Sequence, residues 1–154
     1  MAQGRKQKRG DLVSIPIGDG KHCCAVALTD PLFAFFDGTL EVGQRPESIK
    51  DQSILFKLPV FHTAVKSGRW SVIGKVDPML LCALDRVVFF KQDKISGSLS
   101  AYDPFTNIEW QIGFEEAEQL ECAAVWSPEQ IEDRLRDYFH GVPNKWWASL
   151  RPQR

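Results

Sequence analysis

The segment Lys8–Leu28, KRGDLVSIPIGDGKHCCAVAL, constrains the fold more than any other part of the chain. Val13, Ile15 and Ile17 recur at every second position, the period of a strand with one buried face. Gly18-Asp19-Gly20 then supplies the residues that tolerate positive φ, which a tight turn needs. The chain returns through His22–Leu28, with Cys24, Val26 and Leu28 on one face and Cys23, Ala25 and Ala27 on the other. Residues this small let a second layer approach closely. Pro16 has no amide donor, so its strand is an edge at that point or carries a bulge.

The remaining apolar runs are also short. Leu32–Phe36 reads as a strand after Pro31, residues 38–53 as a loop with a polar turn, and Ile54–Phe61 as the next strand, with Pro59 inside it. His62–Ser67 reads as a helical turn ending at Gly68, since glycine suits the left-handed position after a helix. Trp70–Val76 and Val87–Phe90 are further strands, separated by a turn at Asp77-Pro78. Leu99–Asp103 and Asn107–Phe114 form a second hairpin around Pro104-Phe105-Thr106, with Trp110, Ile112 and Phe114 on one side. Leu120–Trp126 reads as another strand. The clearest helix covers about 128–140: Ser127 is its N-cap, Pro128 suits the first position, and Gln130 completes a capping box. Ile131, Leu135 and Tyr138 make its apolar stripe, with Phe139 beside it. Glu132 and Arg136 are spaced for a surface pair. Gly141 and Pro143 stop the helix, and Asn144 caps a last turn holding Trp146, Trp147 and Leu150.

Many short strands followed by a helix predict a mostly β (α+β) fold: a curled antiparallel sheet or a small SH3-like barrel with a C-terminal helix. A length of 154 residues fits one domain over 8–154, preceded by a flexible basic tail over 1–7.

No catalytic constellation is present. His22, His62 and His140 have no metal-ligand spacing, and the Gly18-Asp19-Gly20 turn lacks the spacing of a phosphate loop. Cys23, Cys24, Cys82 and Cys122 form no CxxC pair and no zinc pattern, and read as small buried apolar residues in a reducing cytoplasm. No run reaches the roughly 20 apolar residues of a membrane span, and the start has no apolar signal core. The expectation is a cytoplasmic chain that is not an enzyme and needs neither cofactor nor metal.

Charge is uneven although the net charge is −1. Arg5, Lys6, Lys8 and Arg9 cluster at the start. Residues 107–141 carry nine acids against two arginines, 2 − 9 = −7. A field of that sign favours basic partners and repels nucleic acid. With ten Phe and five Trp, the chain also has the aromatic side chains that protein interfaces use, and a homodimer is compatible with that content.

Lys8-Arg9-Gly10-Asp11, Ile15–Lys21, Phe61-His62 and Ser67-Gly68-Arg69-Trp70-Ser71-Val72-Ile73-Gly74-Lys75 together resemble the immunity protein 26 family of bacterial polymorphic toxin systems. The resemblance implies a predominantly β, cofactor-free cytoplasmic protein that binds and neutralises a cognate toxin domain, usually encoded by the adjacent gene, without catalysis. Gly10, Asp11, Gly18, Gly20, Gly68, Trp70 and Gly74 form the motif, read as turn glycines beside a buried indole. The motif does not say which residues touch a toxin. The acidic stretch does: Glu115, Glu116, Glu118 and Glu121 as a rim facing a basic toxin site, with Trp110 and Trp126 as aromatic anchors. Trp146 and Trp147 read as a clamp for the C-terminal segment. The alternative is a small β-barrel binding module for another protein or for nucleic acid.

Overall fold

A computed structural model describes residues 4–46 and 52–154. These form two compact units, one from residues up to Asp85 together with Val125–Val142, the other from Arg86–Ala124 together with Pro143–Arg154.

The first unit contains β1 (Asp11–Gly18), β2 (Lys21–Ala27), β3 (Leu32–Phe36), β4 (Leu40–Glu41), β5 (Ile54–Pro59), α1 (Thr63–Lys66), β6 (Ser71–Lys75) and α2 (Pro78–Leu81). The strands pair antiparallel in the order β5-β3-β2-β1-β6, and the short β4 also pairs with β2. The β1–β2 turn takes positive φ at Gly18, Asp19 and Gly20 in succession, the conformation their residue types suit. Pro16 is accommodated in both of the ways open to it. The register slips between Pro16 and Gly18, and β6 accompanies β1 only as far as Ser14, so the missing amide faces no partner strand.

Registered partners share a face, which brings Val13, Ala25 and Phe35 together, with Ile15 opposite Cys23 and Ala27 opposite Phe33. The small residues of β2 leave room above this face. Trp70 fills it, buried edge-on against Phe33 and Phe35 with ring centroids at 5.6 and 6.0 Å. The opposite face is also covered, and every residue from His22 to Leu28 is buried. The unit is completed by α4 (Pro128–His140), which begins with the expected capping box of Ser127 and Gln130 and ends at Gly141 in the left-handed region. Its Ile131 and Leu135 are buried, and Arg136 Nε donates to Ile17 O at 2.9 Å.

The second unit contains β7 (Phe89–Gln92), β8 (Leu99–Asp103), β9 (Ile108–Gln111), α3 (Phe114–Glu118), β10 (Glu121–Cys122) and α5 (Lys145–Ser149). Its sheet runs β10-β7-β8-β9, with β10 parallel to β7 and the rest antiparallel. The protein is therefore mostly β. Both sheets are open, so of the two architectures expected the barrel does not form.

Several local readings are corrected. The chain start is engaged from residue 4 onward rather than free: Gly4 N donates to Lys66 O, Arg5 and Lys6 pair with Asp11 and Asp30, and Gln7 is buried. Residues 1–3 of that tail, and 47–51 of the loop read over 38–53, lie outside the described residues. The strand expected over 107–114 stops at Gln111, because Gly113 opens α3 and the acids at 115 and 116 suit the positive end of a helix. Of Leu120–Trp126 only Glu121 and Cys122 form a strand. Cys23 and Cys24 are buried as expected, with burial pushing their thiols up to about 12 and about 11. Cys82, in contrast, is exposed and Cys122 half-buried.

Asp11 is the main buried charge of the first sheet. It has no exposed side-chain surface, and it accepts from Arg5 Nη1 at 2.8 Å, Lys75 Nζ at 2.6 Å and the Lys8 amide at 2.8 Å. Burial alone would raise its pKa, but these three donors outweigh it and hold the carboxyl at about 2. A carboxyl that ionises more readily when folded adds stability above its ordinary value near 3.8 and loses it as pH falls through about 2. The contribution is about 2 kcal/mol. Asp11→Asn should therefore lower the urea midpoint at neutral pH, and the gap to the parent should close between pH 4 and pH 2. A gap that persists at the acid end would remove the charge from the argument.

Candidate functional site

The motif residues build the scaffold. At Gly10, with φ +95°, a Cβ would stand 3.5 Å from Leu81 Cδ1 and from Val76 O. Gly68, with φ +84°, ends the turn after α1, and Gly74 packs on Leu12. Trp70 reaches across to α4, where its Nε1 donates to Glu132 Oε2 at 3.0 Å. Glu132 is buried and also accepts from Arg69 Nε and Nη2 at 2.7 and 2.8 Å, a bidentate pair. The helix pair expected between Glu132 and Arg136 is thus replaced: Glu132 turns inward to Arg69, and Arg136 turns to Asp133 and to the Ile17 carbonyl. A carboxylate one position from Ile131 on the apolar stripe was the available signal of burial.

The proposed contact residues are dispersed. Trp126 is 2% exposed and belongs to the interior of the first unit. It bridges to Val60, and the Arg134 guanidinium lies 5.2 Å from its ring. A side chain so enclosed cannot anchor a partner, so its reading as a contact is corrected. Trp110, on β9, is 44% exposed and accessible.

The acidic stretch is also divided. Its part in the second unit holds Glu109, Glu115, Glu116, Glu118 and Glu121, 0 − 5 = −5, and its part in the first unit holds four acids and two arginines, 2 − 4 = −2. In the first unit the acids are largely occupied, Glu129 and Glu132 with Arg69 and Asp133 with Arg136. The accessible negative charge lies on α3. Glu115, Glu116 and Glu118 are exposed there, and Glu121 is half-buried at the start of β10. The Glu115 carboxyl is held below its ordinary range, first by its own backbone amide and then by Arg154 at 3.4 Å.

What fixes α3 is Arg151, a residue that carried no signal in the sequence. It donates to Leu120 O at 2.9 Å and Glu118 O at 2.6 Å, so it satisfies carbonyls at the helix end. Its guanidinium stacks 4.9 Å from the Trp147 ring and 5.5 Å from Phe90, which places the C-terminal segment under the acidic turn. The clamp expected of the tryptophan pair thus works through an arginine, with Asn144 accepting from the Trp147 amide at 2.9 Å.

His22 and His62 are separately engaged. Ser14 Oγ and Gln44 O hold His22, and Asp30 holds His62. Among the described residues no group of three or more His, Cys, Asp or Glu side chains could hold a metal ion. Among the described residues no helix is long and apolar enough to cross a membrane.

Comparison with known families supplies what geometry alone does not. The family model described as immunity protein 26 matches residues 8–100, more than half of the chain. The chain belongs to the immunity protein 26 family. No curated protein and no solved structure matches it. The immunity protein 26 match begins just before β1 and ends inside β8, so it takes in the whole first sheet and the motif around Trp70. The α3 acids, Trp110 on β9 and Arg151 all lie beyond residue 100, outside the matched immunity protein 26 span.

Proposed function

We propose that this chain is an immunity protein that binds a cognate toxin domain, the product of an adjacent gene, and silences it by covering its working surface without catalysis. The observation that carries this reading is the family match over residues 8–100. The surface of α3 supports a choice of contact. Glu116 and Glu118 are exposed, and no ion pair among the described residues engages their carboxylates. With Glu115 and Glu121 beside them they form an acidic rim suited to a basic toxin site, such as one that holds phosphate. The protein acts in the cytoplasm, in keeping with its four free cysteines.

The alternative of a nucleic-acid module loses its main support. Arg5, Lys6 and Arg9 pair with Asp11, Asp30 and Asp85 within the chain, so most of the basic cluster at the start is already occupied.

Two measurements test the reading. Co-expression with the adjacent gene product should restore growth and yield a co-purifying complex; a harmless neighbour that does not bind would overturn the assignment. Glu116→Lys with Glu118→Lys should slow association about tenfold or more at low salt, and the deficit should shrink as salt rises. An on-rate indifferent to both charges and salt would remove α3 from the interface and leave the immunity assignment standing.

A further inference from the structure

The acidic turn has little in its own sequence to keep it helical. α3 has five residues, far short of the roughly 12–15 at which an isolated helix becomes even marginally stable in water. Three of the five are glutamates. Glu115 and Glu116 suit the positive end of a helix, but Glu118 stands at the negative end, and the last turn contains no basic residue. The N-cap, Gly113, supplies no side-chain bond. The turn is closed by main-chain bonds, among them Gln119 N to Glu116 O and Leu120 N to Ala117 O, both at 3.1 Å.

The C-terminal segment supplies the missing support at both ends of the helix. Arg151 sets its fork across the Glu118 and Leu120 carbonyls, so a full positive charge stands at the negative end of α3. Arg154 reaches Glu115 at 3.4 Å, and its guanidinium lies 4.1 Å from the Phe114 ring. The segment is itself fastened to the sheet. Gln92 of β7 donates through Nε2 to Gln153 O at 2.6 Å and accepts at Oε1 from Gln153 N at 2.9 Å, as a neighbouring strand would. The same Nε2 donates to Gly97 O at 3.1 Å, which ties this clamp to the β7–β8 hairpin. Gln92 thus holds the backbone between the two arginines, and the arginines hold α3.

We propose that Arg151 is a positioning residue for toxin binding: it orders α3 before contact so that Glu116 and Glu118 are presented together, and Gln92 acts on the same surface through the segment that carries Arg151. This rests on α3 being the toxin contact proposed above. A surface that is ordered beforehand does not lose that conformational freedom on binding. Loss of the support therefore shortens the life of the complex rather than slowing encounter. Removing the Arg151 charge leaves the field around α3 more negative, so the steering of a basic partner is not weakened. This separates positioning from charge.

Amide hydrogen exchange on the free chain tests the ordering. Arg151→Ala and Gln92→Leu should each speed exchange at the Gln119 and Leu120 amides about tenfold or more, while the paired amides of β2 and β8 keep the parent rate and show that both sheets remain folded. Binding kinetics with the toxin domain of the adjacent gene test the consequence. Both variants should raise the off-rate about tenfold, and neither should lower the on-rate. Gln92→Leu leaves every charge in place, and among the described residues Gln92 makes no hydrogen bond to α3, so its effect reaches the acids only through the clamped segment. Unchanged exchange at Gln119 and Leu120 overturns the proposal. So does an unchanged off-rate in both variants when the parent binds, and either result leaves the toxin assignment standing. A parent that binds no toxin overturns the assignment and the proposal together.

Discussion

Replacing Trp70 by alanine should cost about 3–5 kcal/mol of unfolding free energy, the range for removing a large buried aromatic side chain. Two losses combine. Phe33 and Phe35 lose the indole that packs edge-on against them at 5.6 and 6.0 Å. Glu132 loses the donor at 3.0 Å that satisfies it on its buried side. A domain of this kind holds only about 5–15 kcal/mol in total, so the variant should sit close to its unfolding limit. Trp70→Phe separates the two losses: it retains most ring packing and removes the N–H, and should cost about 1–2 kcal/mol. Urea unfolding monitored by circular dichroism reads both variants. If alanine costs no more than phenylalanine, the cavity is not the main source of the effect. The fraction that remains folded should bind a toxin with unchanged affinity, because Trp70 is enclosed and acts through the scaffold.

Glu132→Ala should cost about 3 kcal/mol, at the lower end of what breaking a buried ion pair costs. The lower end applies because the Arg69 side chain is part-exposed and can hydrate once its partner is gone. The Trp70 N–H cannot, since it is buried and would have no acceptor. Glu132→Gln keeps one acceptor oxygen for the indole and should recover about half of the loss. Because Trp70 and Glu132 share one hydrogen bond, the double variant should cost less than the sum of the single ones by about 1 kcal/mol. Strict additivity would mean that the two residues act separately. A cost below about 1 kcal/mol for Glu132→Ala would return it to the surface-pair class suggested by its spacing from Arg136.

These two residues also mark where reading along the chain stops. The sequence put Trp70 in a motif and read it as a buried indole, and the structure places it there. The same reasoning put Glu132 on the outer face of a helix with a neighbour four positions on. Spacing along a helix describes which side chains are adjacent, not which side faces the sheet. The summed charge of the acidic stretch misleads for a related reason. Its −7 is a sum along the chain, but the residues are divided between two units and several are paired with arginines far from them in sequence. Trp126 was grouped with Trp110 by proximity to that stretch, yet one is interior and the other lies on an edge strand.

What the sequence determined by itself is what short-range physics controls. Backbone torsions required the Gly18-Asp19-Gly20 turn, local hydrogen bonds required the Ser127–Gln130 box and the stop at Gly141, and alternation required the first hairpin. The motif text around Gly10, Asp11 and Trp70 carried the family. Tertiary structure alone decided the meeting of Arg69 and Trp70 with Glu132, separated by 63 and 62 residues, and the hold of Arg151 on carbonyls more than 30 residues earlier. It also decided that β9 ends its sheet with its outer groups unpaired among the described residues. The physical reason is that a side chain's partner across the core depends on how sheets and helices stack, and that depends on all the strands together rather than on any one segment.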